Sequence, residues 1–588
     1  MLPEPIIARP YRTEAAAIRW DGLLPTAIEY DDSYWGQGNP AEEKRFVFPL
    51  QHDLTQRAKV SDFFVILELG FGFGHNFLQT LTEWRKTGST SQLHYIAIER
   101  SPPSKAVLKQ THERLDSEGW QRLLSIYPPQ LEGWYVVWLE QNVRLTLIFE
   151  DATTALPRLD AKVDAFYLDG FKPSSNPALF NPFVFNALQT LAQPGATVSS
   201  YSVAGTVKQG LKAAGFSIEK RSGFGHKRSM LFASAPQQWR GQRFLKPLTQ
   251  IVGAGIAAQF LVRSFDRFGL KPTVFADPNH PGASNQPVFN IYPQISLDRD
   301  RQSEFAIAAN YFALNNLSNL DQTTLYWQST NVQKTQKMAR LSQLLPADYL
   351  SHEDGAFAYH QAGTWRPTEL VETLRAKIIG FKAHDSNLEL LNATDQRCAP
   401  AAVTILATGQ GSVALCRLPL KSIYGQSIVV ETLQPLPGPL IGDLSITPLG
   451  ESTYLIGSTY RPEGTPDLGE AFRTQSLLER LTELVGDQKI LLRRAHQGYR
   501  IALPDRTPVV GRLPIGALKN LASSTKLAPG LTDASGLMVL MGLGSHGATL
   551  GPLAAEAITS QVVGVPSPLP RDHLQLLRPD RFLNALTP

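Results

Sequence analysis

Hydrophobic and polar positions along this chain fall into two successive regions. Between residues 63 and 233, short apolar runs alternate with longer amphipathic stretches, as buried strands alternate with covering helices in a parallel sheet. The runs predict strands over 63–69, 93–98, 143–149, 163–168 and 196–201, and two closing strands over 216–219 and 230–233. The amphipathic stretches predict helices over 75–84, 104–115 and 205–214, the last stopped by Gly215. A second region opens at Ile251-Val252, which runs into Gly253-Ala254-Gly255-Ile256-Ala257-Ala258 and then a helical pattern through Phe260, Leu261 and Phe265. Strands at 273–275, 403–406 and 537–541, sheet-like alternation over 425–460 and a helix from Gly547 complete that region. The fold class is therefore α/β in both halves. Because a dinucleotide-binding fold starts with its glycine unit, a complete domain is expected before residue 251.

Length and composition narrow this picture. At 588 residues the chain exceeds what one core usually supports. The expected division is 1–238, a linker over 239–250, and 251–588. Hydrophobic content of 43%, charged content of 18% and a net charge of +4 describe a globular protein that tolerates an anionic partner without demanding one. Two cysteines, Cys398 and Cys416, exclude a disulfide framework and a thiolate metal site. With no basic-then-apolar leader at the start and glycines throughout the most apolar tract (536–555), the expectation is a cytoplasmic, monomeric protein without membrane or metal.

Candidate chemistry lies at the strand ends, where open parallel sheets bind ligands. Glu68, Glu99, Asp151 and Asp169 each close a strand, and Gly70, Gly72 and Gly74 form the first loop. That loop lacks the lysine of a triphosphate-gripping loop, so a nucleoside without a triphosphate fits better. The set resembles class I S-adenosylmethionine-dependent methyltransferases. The resemblance implies that Glu68, Gly70, Gly72, Gly74, Glu99 and Asp151 hold the methyl donor. In Tyr167-Leu168-Asp169-Gly170-Phe171, Asp169 is positioned to accept the proton of an attacking amine, and Phe171 to stack on a base. The basic tip around Gly223-Phe224-Gly225-His226-Lys227-Arg228 offers Lys227 and Arg228 to phosphates.

In the second half, Gly253 permits a tight turn, Gly255 close approach of a pyrophosphate, and Ala258 close helix–strand packing, while Asp277 stands where a ribose would be met. Small and amide residues over 282–286, Ser284 among them, can face the cofactor. The return through Gly544-Ser545-His546-Gly547 aims a helix N-terminus at a flavin carbonyl. This half resembles glycine- and sarcosine-type amine oxidases. By that resemblance FAD is the cofactor, held also by Gly544 and Gly547, and Arg500 forks onto a substrate carboxylate beside Tyr499. A pairing of Arg500 with Asp505 is the competing reading.

The two halves in this order resemble the bacterial family of bifunctional tRNA 5-methylaminomethyl-2-thiouridine biosynthesis proteins. The resemblance implies FAD-dependent removal of a carboxymethyl group from the wobble uridine of the tRNA anticodon, then methylation of the resulting amine from S-adenosylmethionine. Asn285, Gln286 and Phe289 depart from the family pattern and are expected to narrow the flavin pocket. A small-amine oxidase fused to a metabolite methyltransferase, and a methyltransferase with a non-catalytic flavin half, stay open at this level.

Overall fold

The computed structural model describes residues 11–36, 39–115, 117–225, 227–277, 282–367, 373–375, 378–384, 387–392, 401–514, 517–519 and 536–585. His226 and Cys398 lie outside them, and Cys416 is buried. The chain divides into two compact units. One comprises Tyr11–Leu245 with Gly564–Arg571, the other Lys246–Val563 with Asp572–Pro588. Among the described residues no helix is long and apolar enough to cross a membrane.

The first unit is built on an eight-stranded sheet. Its order is Ser217–Ser222, Ser229–Ser234, Ala192–Ser200, Val163–Leu168, Phe63–Leu69, Gln92–Ile98, Val143–Phe149 and Gly133–Glu140. The five strands from Ala192–Ser200 to Val143–Phe149 run parallel, and the flanking strands join them through antiparallel pairings. Every residue of Phe63–Leu69 and Gln92–Ile98 is buried, as a central strand covered on both faces requires. The edge strand Gly133–Glu140 is not announced by the alternation. It is an almost continuous apolar run that returns through a short turn onto Val143–Phe149. Upstream, a small sheet (Ile18–Asp21, Leu24–Ala27, Asp32–Ser33) and the helix Pro40–Val47 add elements the pattern leaves unassigned. Asn39 caps that helix by accepting from Ala41 N, and Pro40 stands in its first turn.

Two boundaries differ from expectation. Residues 239–245 are packed rather than linking: Trp239 Nε1 donates to Asp164 at 2.7 Å, Gln242 Nε2 donates to the same carboxylate at 2.6 Å, and Phe244 stacks on Phe63 at 5.3 Å. These contacts serve the fully buried Asp164, whose Oδ2 also accepts from Val65 N at 2.8 Å. Gly564–Arg571, expected with the second half, belongs to the first unit. Ser567 N donates to Asp160 O at 2.9 Å, and buried Arg144 donates to Pro566 O.

The second unit holds a six-stranded sheet ordered Leu374–Arg375, Thr273–Ala276, Thr249–Val252, Val403–Leu406, Leu537–Met541 and Val509–Arg512. Thr249–Val252 lies between Thr273–Ala276 and Val403–Leu406, all parallel, so the fingerprint loop emerges at the centre of the sheet edge. The helices Ile256–Asp266 and Gly547–Val563 follow their glycine turns as expected. Besides smaller sheets of three and two strands, this unit also holds a nine-stranded sheet. In it Lys421–Thr432 pairs along its whole length with Ile490–Ala502, a strand that carries Tyr499 and Arg500 and that the sequence pattern leaves unassigned.

Gly253 has φ of +115°, and a Cβ there would stand 2.2 Å from Ala407 O, a backbone atom that cannot swing aside. Gly253→Ala is expected to destabilise the second unit by about 1–3 kcal/mol from backbone conformation alone, with the clash adding to it. Thermal unfolding checks this, and an unchanged transition would remove the assignment.

Candidate active sites

The first unit carries a cavity of about 360 Å³ at the carboxyl ends of its central strands. Gly70, Gly72, Glu99, Asp151, Asp169, Phe171 and Lys227 all line it. Gly70 (φ +93°) passes so close to the Asp169 carbonyl that a Cβ would lie 2.6 Å from it, which fixes the glycine loop against the strand end bearing Asp169. Glu99 Oε2 accepts from Gly72 N at 2.8 Å and Oε1 from Ser101 N at 2.9 Å, so its carboxylate is held across the loop. Burial lifts the pKa of Glu99, and the N–H groups of Gly72 and Ser101 oppose the lift. Asp151 lines the cavity while capping the short helix after it through Thr153 N at 2.8 Å.

Three predicted residues are placed elsewhere. Gly74 does not line the cavity: a Cβ there would meet Leu123 and Phe71 at 2.8 Å, and its left-handed φ starts the helix His75–Lys86. Glu68 is fully buried below the floor, accepting from Asn76 Nδ2 at 2.6 Å and Tyr95 OH at 2.8 Å. Arg228 is exposed and outside the lining, whereas Lys227 lines the cavity, sits 4.3 Å over the Tyr201 ring and pairs with Glu43 at 3.4 Å.

Sequence reasoning missed most of the cavity's opposite wall. Tyr30 stacks on Phe171 at 4.6 Å, and Tyr34 meets Phe171 edge-on at 5.0 Å, so Phe171 is one ring of a cluster. Lys44, from Pro40–Val47, reaches Asp169 Oδ2 at 2.5 Å. The only advance signal for that helix is Asn39-Pro40 followed by Glu42-Glu43 and then Lys44-Arg45, the charge order a helix dipole favours.

The cavity of the second unit is about 1450 Å³, larger than a single small-molecule pocket and ample for a dinucleotide with substrate. Gly253, Gly255, Asp277, Ser284, Tyr499, Arg500, Gly544 and Gly547 line it. Ala258 does not; it is fully buried on the helix Ile256–Asp266, the packing role that the fingerprint assigns. Ser284 Oγ accepts from Ile256 N at 3.0 Å, so the hydroxyl meets the first N–H of that helix. Asn285, Gln286 and Phe289 line the cavity, and its volume shows that they do not close it.

Arg500 is the distinctive charge here. Its Nη2 donates to Ser458 Oγ at 2.6 Å, and burial holds its pKa below the usual guanidinium range. Among the described residues no carboxylate pairs with it. Asp505 instead takes Arg581 at 2.9 Å, which removes the competing reading. Behind Arg500, burial and its positive charge push the imidazole of His546 down to about 4, so His546 is neutral. The Tyr292 ring lies 5.1 Å from His546, its hydroxyl pushed up to about 12 by burial. A half-buried guanidinium that lines an open cavity, with no acid paired to it among the described residues, is suited to a carboxylate ligand.

Both cavities fit the groups expected in them. In the first, S-adenosylmethionine would lie along Gly70–Gly72 with Glu99 at its ribose. In the second, FAD would cross Gly253–Gly255, where two of the three residues carry no side chain, with Asp277 at the adenosine end.

Comparison with known proteins finds a family match in each half of the chain. Residues 116–236 match a family described as S-adenosyl-L-methionine-dependent methyltransferase, and residues 251–561 match FAD dependent oxidoreductase. The chain is 30% identical over 652 residues to the tRNA 5-methylaminomethyl-2-thiouridine biosynthesis bifunctional protein MnmC of Aeromonas hydrophila subsp. hydrophila, covering 96% of this chain and 97% of that protein. The protein of the same name from Burkholderia multivorans is 29% identical over 636 residues, with 96% of each chain covered. Among solved structures, MNMC2 from Aquifex Aeolicus aligns with 38% of this chain and 73% of its own at 20% identity and a TM-score of 0.31. Iminodiacetate oxidase (IdaA) from Chelativorans sp. BNC1 aligns with 55% and 97% at 17% identity and a TM-score of 0.43. With its two units, their cavities and full-length similarity to these relatives, the chain belongs to the family of bifunctional tRNA 5-methylaminomethyl-2-thiouridine biosynthesis proteins, a methyltransferase joined to an FAD-dependent oxidoreductase.

Proposed function

We propose that this protein carries out the last two steps in building the methylaminomethyl group on the wobble uridine of tRNA, in the cytoplasm. The second unit removes the carboxymethyl group from 5-carboxymethylaminomethyl-(2-thio)uridine. The first then methylates the 5-aminomethyl-(2-thio)uridine produced. The observation that carries this reading is the charged side chain that each cavity offers: Arg500, with no acid paired to it among the described residues, in one, and the largely covered carboxylate of Asp169 in the other.

In the second unit, Arg500 binds the substrate carboxylate and fixes the methylene between it and the amine nitrogen. FAD, when bound, supplies the acceptor for the hydride that this methylene loses. The resulting imine takes up water, glyoxylate departs and a primary amine remains on the uridine. Tyr499, lining the cavity beside Arg500, is placed against the substrate.

In the first unit, S-adenosylmethionine supplies an electrophilic methyl group. An amine attacks it only with a free lone pair, so its proton must leave. Asp169 accepts that proton and directs the nitrogen. Phe171 and its aromatic neighbours offer a face to the base, and Lys227 with the exposed Arg228 offers cations to the backbone phosphates. The order of the steps follows from chemistry, because the oxidative step produces the nucleophile that the methyl transfer consumes.

The test is mass analysis of the wobble nucleoside after deletion of the gene and after its return. Without the protein the carboxymethylaminomethyl form should persist, and the returned gene should convert it to the methylaminomethyl form. An unchanged nucleoside on deletion would refute the proposal. Methyl transfer to small amines but not to tRNA from the deletion strain would instead favour a metabolite enzyme. Purified protein that takes up no FAD would favour a non-catalytic second unit.

A further inference from the structure

Two acids and a lysine meet at the floor of the methyl-transfer cavity. Asn76 Nδ2 stands between the acids, donating to Glu68 Oε1 at 2.6 Å and to Asp169 Oδ2 at 2.8 Å. The other oxygen of Glu68 accepts from Tyr95 OH at 2.8 Å. Lys44 Nζ reaches Asp169 Oδ2 at 2.5 Å, and the two side chains are only 10% and 9% exposed. Both donors to Asp169 thus use the same oxygen, Oδ2.

We infer that Lys44 is a positioning residue for methyl transfer: it confines the negative charge of this cluster to Asp169 and anchors Oδ2, leaving Oδ1 to take the proton of the acceptor amine. The inference rests on the reading of Asp169 as that proton acceptor.

The charges decide which acid is ionised. Two carboxyl groups linked through one amide in a buried site do not both ionise readily, and the proton settles on the acid with less support. Glu68 has only the neutral hydrogen-bond donors Asn76 and Tyr95, with Lys44 acting on it at longer range, and burial first and then the charge of Asp169 raise its pKa well above the usual carboxylate range. Asp169 has a cation. Burial holds its pKa above the usual carboxylate value and Glu43 adds to the lift, while Lys44 and the bond from Asn76 oppose it.

The other groups around Asp169 leave Lys44 in that role. Glu43, on the same helix as Lys44, is engaged by Gly36 N at 3.0 Å and by Lys227 at 3.4 Å. Lys227 is drawn to Glu43 and to the Tyr201 ring. Tyr201, beyond the neighbouring strand, donates to Gly170 O at 2.7 Å, and its hydroxyl stays protonated because burial and the surrounding acids hold its pKa high. Without Lys44, the acid meant to receive a proton would already carry one at a higher pH.

The experiment follows methyl transfer from S-adenosylmethionine to tRNA bearing the 5-aminomethyl group, as kcat/KM against pH, in full-length protein. In Lys44→Met the acidic limb is expected to move up by about one to three pH units, with close to a tenfold loss per unit below it. Lys44→Arg should return the limb towards its original position. S-adenosylmethionine binding and the oxidative step should be unchanged in both variants. Should Lys44→Met fail to fold, Lys44→Gln, which keeps a donor without the charge, is read in its place.

A wild-type limb and rate in the uncharged variant, with Asp169→Asn inactive, would overturn the role of Lys44 alone. So would equal losses in the methionine and arginine variants with no movement of the limb. Full activity of Asp169→Asn would instead overturn the underlying reading of Asp169.

Discussion

Asp169→Asn is expected to leave the wobble uridine at the primary amine, with methyl transfer slowed by about 10²- to 10⁴-fold, the range associated with losing one acid–base group. The substitution preserves shape and removes the ability to take a proton. Oxidative removal of the carboxymethyl group should continue at the original rate, because Asp169 belongs to the cavity of the first unit only. S-adenosylmethionine should still bind, since Gly72 and Glu99 hold each other without Asp169. The variant should also melt at a lower temperature. It leaves the buried Lys44 without its counter-charge, and breaking a buried pair from one side costs about 3–5 kcal/mol. Adding Lys44→Met should recover much of that stability without recovering methyl transfer. The pair of variants separates loss of chemistry from loss of folding. Nucleoside mass analysis and a melting curve read both, and a fully methylated wobble base in the Asp169→Asn strain would remove Asp169 from the mechanism.

Much of this site is legible in the sequence because parallel sheets bring strand ends together whatever lies between them. Glu99, Asp151 and Asp169 lie far apart along the chain, yet each follows an apolar run, and the topology delivers all three to one cavity. The glycines are legible for the same reason: Gly70 and Gly253 each pass a neighbouring strand's backbone too closely to carry a side chain. What the pattern does not reveal is contributed from outside the repeating units. Lys44 meets Asp169 across 125 positions of sequence, from a short helix in a stretch without strong periodicity. Tyr30 and Tyr34 come from an aromatic and acidic cluster whose facing ring, Phe171, only the folded chain identifies. Glu68 reads as a strand-end ligand because spacing cannot distinguish a side chain that points into a cavity from one that supports its floor. The same limit applies to Gly74 and Ala258, where small residues are required by packing against Leu123 and within the helix–sheet layer. The two boundaries are missed for a related reason, since Trp239 and Phe244 look like scattered aromatics until Asp164 and Phe63 are placed beside them.

Arg500→Met should stop the pathway one step earlier, with the carboxymethylaminomethyl base accumulating. The guanidinium would meet the substrate carboxylate in a buried setting, and removing one side of such a pair costs about 2–5 kcal/mol, or roughly 30- to 4000-fold in kcat/KM. The effect on folding should be opposite in kind to that of Asp169→Asn. Among the described residues Arg500 has Ser458 as its hydrogen-bonded partner and no acid, so its removal strands no buried counter-charge. The melting temperature should therefore hold or rise, and FAD should remain bound, because the guanidinium's hydrogen bond runs to Ser458 and not to the Gly253–Gly255 turn. Arg500→Lys should fall between the two, keeping the charge while losing the planar fork that accepts both carboxylate oxygens. Methyl transfer to tRNA supplied with the 5-aminomethyl group should be untouched in either variant. Retention of both the flavin and full oxidative turnover in Arg500→Met would show that the carboxylate is held elsewhere. Loss of the flavin together with turnover would show that Arg500 supports the cofactor rather than the substrate. Only loss of turnover in a yellow, stable protein identifies the carboxylate as the acid that Arg500 receives.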